Sequence, residues 1–255
     1  MKAMIFAAGL GTRLRPLTDN LPKAMVKVAG RPLLEWNIRR LINFGYTDII
    51  INVHYLADQI EDFVSRNNNF GINIVFSDER GQLLDTGGGL KKASWFLASP
   101  SPEPILVINA DILTYLDLGA MRTCFFGSRQ PLGALLAVQE RPSSRRLLFF
   151  DNMAENRLCG WENVQTGQVK WASEPSAVST KTSSWAFSGV QLIAAGVLQD
   201  IPLEGVFSMV DLYLQIASQI TILPYLHTND WWADIGKPEN IAAADAYLST
   251  HLYGY

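Results

Sequence analysis

The apolar positions of the chain follow two rhythms, and the change from one to the other organises it. In the first hundred residues, short unbroken apolar runs alternate with stretches where apolar residues recur every three or four positions. The runs AMIFAA (3–8), DIIINV (48–53), INIVF (72–76) and PILVINAD (104–111) predict buried strands. Between them, PLLEWNIRRLINFG sets Leu34, Ile38, Leu41 and Ile42 on one helical face, with Gly45 placed as the C′ residue. Leu56, Ile60, Phe63 and Val64 mark a second helix, which ends before NNNFG, and GGGLKKASWFL opens a third. Strands separated by helices of this length predict parallel βαβ units with right-handed crossovers.

From about residue 131 to 193 the pattern turns strand-like, in LGALLAV, RRLLFF, QVKWA and WAFSGVQLI, with few helical stretches. This predicts an antiparallel extension of the sheet. Helical spacing returns at FSMVDLYLQIA (207–217) and KPENIAAADAYL (237–248), with the strand ITILPYL (220–226) between them. ASPSPEP (98–104) reads as a proline-rich turn rather than a hinge, and no linker or repeat interrupts the chain. The expected fold is α/β: a Rossmann-like three-layer arrangement around a mixed, mostly parallel central sheet, in one domain spanning 1–255.

Composition narrows the function. Apolar residues make up 48 % and charged residues 18 %, ordinary for a globular protein, and the net charge of −3 argues against a general nucleic-acid binder. That charge is unevenly spread. Residues 1–31 carry Lys2, Arg13, Arg15, Lys23, Lys27 and Arg31 against Asp19 alone, which points to a local site for a small anion. Cys124 and Cys159 have no metal-type spacing and fit a reduced cytoplasmic protein. The apolar run before Gly9 is shorter than the roughly 7–15 residues of a signal-peptide core. No run approaches the ~20 residues of a membrane span, so no membrane partner is expected.

The cations cluster around a glycine loop, Ala8-Gly9-Leu10-Gly11-Thr12-Arg13, directly after the first strand. Bare backbone N–H groups there could approach phosphate oxygens closely; an ordinary strand-to-helix turn would also use two glycines. A dinucleotide fingerprint fails because Leu14 stands where its third glycine belongs, and no G-x-x-x-x-G-K-[ST] or kinase signature occurs. Arg13, Arg15 and Lys23 tip the balance toward an anion, since clustered cations without acids are costly unless one joins them. Pro16 and Pro22 restrict the backbone that carries them.

FAAGLGTRLRPLTDNLPKAMVKVAGRPLLEW resembles the signature G-x-G-T-R-[LM]-x-P-L-T…P-K of sugar-1-phosphate nucleotidyltransferases. The resemblance continues through DTGGG (85–89), INAD (108–111), FSGV (187–190) and WWADIGKPEN (231–240). It implies a GT-A-like fold, with residues 1–115 forming the nucleotide-binding part and 116–255 the sugar-phosphate-binding part. The partners it implies are a nucleoside triphosphate and a sugar 1-phosphate, with Asn109 among the substrate contacts.

Asp111 ends an apolar strand, where open α/β sheets bind ligands, and Asp234 sits in WADIG. Each is also a plausible turn or cap residue; together they suit Mg²⁺, which takes one or two carboxylates plus waters and substrate phosphates. In the resembled family the matching aspartates hold the catalytic metal, although glycine usually precedes the first, where this chain has Ala110. His54, His227 and His251 lack zinc spacing and read as structural or surface residues, and Trp231 and Trp232 as packing around the C-terminal motif.

A phosphate monoester with a second pKa near ~6 is mostly dianionic at neutral pH and needs no general base. The resemblance therefore implies charge neutralisation and alignment as the catalytic task. The amides of residues 8–12 would cradle the triphosphate, Arg13 would neutralise the departing pyrophosphate, and Lys23 would contact both the α-phosphate and the incoming phosphate. Thr86, Gly87 and Gly88 would border the base, and Ser188 and Gly189 the sugar. Asp85 in LDTGGG is similar to the acidic L-E-T-G-G-G of the recycling-type N-acetylmuramate-1-phosphate uridylyltransferases, which favours UTP and N-acetylmuramate 1-phosphate. ASEPS (172–176) lacks the lysine of the E-K-P segment that grips the sugar in thymidylyl enzymes, and Glu174 and Lys181 are further candidates there. Open alternatives are a mannose- or heptose-1-phosphate guanylyltransferase, a phosphocholine cytidylyltransferase and a non-catalytic nucleotide-sugar sensor.

Overall fold

The four apolar runs become neighbouring parallel strands. β1 (Lys2–Phe6) lies between β4 (Asp48–Val53) and β6 (Ile105–Asn109), and β5 (Asn73–Asp78) flanks β4. In this computed structural model residues 1–98, 101–173 and 181–251 are described. Side chains alternate across the sheet. Ala3, Ile5, Ile49, Ile51, Leu106 and Ile108 pack under α1 (Leu33–Asn43), α2 (Ala57–Arg66) and α4 (Leu118–Phe126). Met4, Ile50 and Val107 face the opposite layer, formed by α3 (Asp85–Leu97) and α5 (Met209–Ile216). Burial on both faces explains why these strands read as unbroken apolar runs. Gly45 follows α1 with φ of +82°, the left-handed C′ geometry its position required.

The antiparallel extension is built on β12 (Thr182–Ile193), which pairs with β6 and with β8 (Leu132–Gln139) through its second half. Its first half pairs with β9 (Arg146–Asp151), and β10 (Arg157–Asn163) and β11 (Gln168–Trp171) continue outward. An irregularity between Phe187 and Gln191, with Gly189 at φ +75°, lets one strand serve both sets of partners. β13 (Thr221–Leu226) joins the far side of β8 in parallel, so the extension is not purely antiparallel.

Two elements had weak signals. α4 is a short helix with Leu118, Met121 and Phe125 buried, capped by Asp117, whose carboxylate accepts from Ala120 N at 2.9 Å. β10 reads RLCGWEN and is held in the sheet by its neighbours rather than by propensity; any Cβ at Gly160 would strike the Trp171 ring. A third apolar cluster matters most for the site. Leu14, Val26, Val28, Leu33 and Trp36 pack with Leu113, Ile235, Ala244 and Leu248, fixing the back of the glycine loop. They join it to β7 (Ile112–Thr114), its antiparallel partner β14 (Trp232–Asp234) and α6 (Pro238–Thr250).

Candidate active site

β1 and β6 are adjacent and parallel, and ligands of open α/β sheets bind beyond the carboxyl ends of such strands, where the loops that follow β1 and β6 lie. β1 stops at Phe6, and Ala7 N donates to Asn52 Oδ1 at 2.8 Å, turning the chain into the glycine loop. Gly11 adopts φ +67°, and an ideal Cβ on it would meet Thr18 Cγ2 at 3.0 Å and Lys23 Cβ at 3.2 Å. Thr18 Oγ1 donates to Gly11 O at 2.7 Å and closes the loop on itself. Gly9 has no heavy atom within 4 Å of the corresponding point, so its open side faces free space.

Beyond the loop, Lys23 begins a one-turn helix (Lys23–Met25) after Pro22 and forms an ion pair with Asp111 Oδ2. Asp111 leaves β6 two residues past its end, and Ile235 N donates to Asp111 O at 2.8 Å, tying the turn to β14. Asp234, distant in sequence, is thereby brought beside Asp111. Burial, then the Asp111 charge, push the Asp234 carboxyl above the usual carboxylate range, while Lys23, Arg13 and Arg141 act in the opposite sense. Gly236 makes room for this grouping: an ideal Cβ there would lie 2.8 Å from Asp234 Oδ1 and 2.9 Å from Arg13 Nη2. Lys23, Asp111, Asp234 and Arg13 thus share one corner. Leu10 and Thr12 lie on the exposed outer side of the loop.

A cavity of about 390 Å³ opens from this corner. Ala8, Gly9 and Lys23 line one wall, Asn109, Ala110 and Asp111 the floor, and Leu83, Asp85, Thr86 and Val206 the other side. The two walls are linked by a buried relay. Asn52 Nδ2 donates to Glu79 Oε1 at 2.8 Å, and Glu79 Oε2 accepts from Leu84 N at 3.0 Å. Asn52 reads in sequence as one residue of a strand and Glu79 as a loop acid, so nothing in the pattern marks them as a bridge. A wider groove of about 540 Å³ beside α1 is lined by Arg31 and Arg39, but both already pair with Glu35.

Several residues expected to contact substrate already have partners within the fold. Gly87 N and Gly88 N both donate to Phe207 O, at 2.9 and 3.1 Å, so those N–H groups are not free for a base. Their missing side chains serve packing: any Cβ would strike the Phe207 ring or Gly205 O. Thr86 Oγ1 accepts from Met209 N at 3.0 Å, leaving Asp85, Thr86 and Leu83 as the cavity-facing part. Ser188 is fully buried, and its Oγ lies 2.8 Å from His227 Nε2, so its hydroxyl is already engaged inward. Gly189 instead accommodates the side chains of Asn109 and Ile112. Glu174 lies outside the described residues. Trp232 Nε1 donates to Ser188 O at 2.8 Å, and Trp231 stacks on Tyr247 with centroids 4.4 Å apart. Arg141, which no motif singled out, sits over the Trp232 ring.

The donor set suits a hard cation. Asp234 Oδ1 is buried without a hydrogen-bond partner, and Asp111 stands beside it with one oxygen on Lys23. Two carboxylates suit an ion whose shell is completed by waters and substrate; among the described residues no group of three or more His, Cys, Asp or Glu side chains is placed to hold a metal.

Residues 2–146 match the family described as Nucleotidyl transferase. The chain is 31 % identical over 253 residues to an N-acetylmuramate alpha-1-phosphate uridylyltransferase of Caulobacter vibrioides, covering 97 % of this chain and 96 % of that one. It is 42 % identical over 142 residues to the protein of the same name from Neisseria meningitidis, covering 56 % of this chain and 60 % of the relative. Among solved structures it resembles the inositol-1-phosphate CTP transferase of T. maritima, with a TM-score of 0.74, 16 % identity and 98 % and 96 % coverage. With a glycine loop, two aspartates and a three-layer fold arranged in this way, the chain belongs to the nucleotidyl transferase family.

Proposed function

We propose that the enzyme transfers a uridylyl group from UTP to N-acetylmuramate 1-phosphate, releasing pyrophosphate. The observation that carries the reading is the convergence of Lys23, Asp111, Asp234 and Arg13 beyond the ends of β1 and β6. A phosphate oxygen of the sugar 1-phosphate attacks the α-phosphorus of the nucleotide, and the bond to the bridging oxygen of pyrophosphate breaks. The acceptor is already dianionic, so the protein's work is alignment and charge neutralisation. Backbone amides from Ala8 to Thr12 hold the triphosphate at the open face of Gly9. Lys23 steadies the α-phosphate and the attacking oxygen, and Arg13 steadies the departing pyrophosphate. Asp111 and Asp234 would hold Mg²⁺, which when bound offsets the repulsion between the two anionic reactants.

Residues 1–115 supply the nucleotide side in this reading and residues 116–255 the acceptor side. Asp85 and Thr86 at the cavity rim meet the base, and Asn109 on its floor meets the substrate. The base assignment is supported by Asp85 and by the uridylyltransferase relatives. We assign the reaction to the cytoplasm, in keeping with two free cysteines and no helix, among the described residues, long and apolar enough to cross a membrane. Pyrophosphate release across four nucleoside triphosphates and several sugar 1-phosphates tests the assignment. UTP with N-acetylmuramate 1-phosphate should give the highest kcat/KM; turnover with GTP and mannose 1-phosphate, and none with UTP, would replace it.

A further inference from the structure

We infer that Arg141 is an acceptor-binding residue whose free guanidinium nitrogen Nη1 donates to an anionic oxygen of the sugar phosphate. The inference rests on the proposed reaction only for the identity of that acceptor. Arg141 follows β8 and is held from two sides: Nη2 donates to Phe187 O on β12, and the Trp232 ring lies 3.6 Å from the guanidinium carbon. Trp232 is fixed in turn by its bond to Ser188 O. The cation is therefore placed, not loose.

Nη1 is nevertheless buried with no hydrogen-bond partner. A desolvated guanidinium N–H without an acceptor is costly, and an anionic ligand oxygen would supply one. Trp232 and Asp234 are two apart on β14 and so project to the same face, and the Arg141 charge acts on Asp234. Asp234 Oδ1 is itself unpartnered, yet no bond joins the two. An unpaired cation on the same side as a carboxylate that would hold Mg²⁺ suits a ligand whose end toward Arg141 is anionic. Lys23 and Arg13 stand on the glycine-loop side of Asp234, whereas Arg141 stands on the side of β12 and the β8–β9 connection. That places it with the acceptor rather than the nucleotide.

The phosphate and a carboxylate on the sugar are both anionic oxygens, and the experiment separates them. Steady-state kinetics of wild type, Arg141→Gln and Arg141→Lys are measured with N-acetylmuramate 1-phosphate and with N-acetylglucosamine 1-phosphate, which lacks the lactyl carboxylate. In parallel, calorimetric titration follows orthophosphate binding to each protein. Arg141→Gln should raise the acceptor KM roughly 10- to 100-fold, as expected for a lost charge-assisted bond, and leave the nucleotide KM within about twofold. Equal losses with both sugars and weakened orthophosphate binding identify the phosphate; a loss confined to the muramate identifies the carboxylate. Arg141→Lys keeps the charge but not the fork, and should recover only part of the affinity. An unchanged acceptor KM in folded Arg141→Gln, or a loss confined to the nucleotide KM, overturns the inference. If Arg141→Gln does not fold, Arg141→Lys is judged by the same split. If no sugar 1-phosphate turns over, the proposed function fails separately, and calorimetric binding of orthophosphate and of lactate decides for Arg141: weakening of either in the variant supports it, both unchanged refutes it.

Discussion

Gly9 and Gly11 sit two residues apart in one loop, yet the structure gives them different work, and alanine at each should separate the two. At Gly11 an added Cβ meets Thr18 Cγ2 at 3.0 Å, Thr18 Cβ at 3.1 Å and Lys23 Cβ at 3.2 Å, with the backbone at φ +67°. Left-handed backbone costs an L-residue about 1–2 kcal/mol, and overpacking of this kind about 1–3 kcal/mol more. Gly11→Ala should therefore lose about 3 kcal/mol, or roughly 6–12 °C in Tm for a chain of this size. At Gly9 the φ is not positive and nothing lies within 4 Å, so Gly9→Ala should keep its Tm within about 0.5 kcal/mol equivalent. In the proposed reaction its methyl would fill space that a phosphate needs. Differential scanning fluorimetry and UTP kinetics on both variants are the assay. Gly9→Ala should fold as wild type and lose about tenfold or more in kcat/KM for UTP, corresponding to about 1.4 kcal/mol of binding. A fully active Gly9→Ala would refute the claim that backbone approach to the triphosphate explains the glycine.

Glu79 accepts from both Asn52 and Leu84 N in a fully buried position, so Glu79→Gln forces an amide donor against a donor. A loss of about 1–3 kcal/mol in urea unfolding is expected, with a raised UTP KM because the relay links the two cavity walls. Ser188→Ala should cost about 1 kcal/mol and leave the acceptor KM unchanged, since Oγ bonds only inward to His227; a tenfold KM change would restore a substrate role. His227 itself gives a pH signature. Burial, with Arg141 and Arg40, pushes its pKa down to about 4, outweighing the Asp230 carboxylate 3.4 Å from Nδ1. The unfolded chain therefore takes up the proton first. The stability from the neutral ring is full above pH ~6.5 and is lost as pH falls toward ~4, by up to about 3 kcal/mol. The acid-side slope of unfolding free energy should be shallower in His227→Gln than in wild type over that window.

The parallel half of the sheet was legible because β1, β4 and β6 are buried on both faces, a condition that leaves unbroken apolar runs. β10 was not, since its glycine and polar residues are accommodated by Trp171 and the adjoining strands, a tertiary effect without a local period. Loop chemistry was legible as a motif, but distances were not. No spacing reveals that Asp234 returns to Asp111 through β14, or that the N–H groups of Gly87 and Gly88 are spent on Phe207. The partner of Ser188 was hidden for the same reason. A hydroxyl beside a glycine looks available in sequence, whereas the irregularity in β12 turns it toward His227.

The central claim is that the chemistry occurs where Lys23, Asp111, Asp234 and Arg13 meet. Its most direct test is the rate of divalent-cation-dependent pyrophosphate release from UTP and N-acetylmuramate 1-phosphate in wild type, Lys23→Ala and Asp234→Asn, each shown to be folded by circular dichroism. Both variants should fall by roughly 10³-fold or more in kcat, the scale of charge stabilisation in phosphoryl transfer. Folded variants that turn over within about tenfold of wild type would place the reaction somewhere other than this corner.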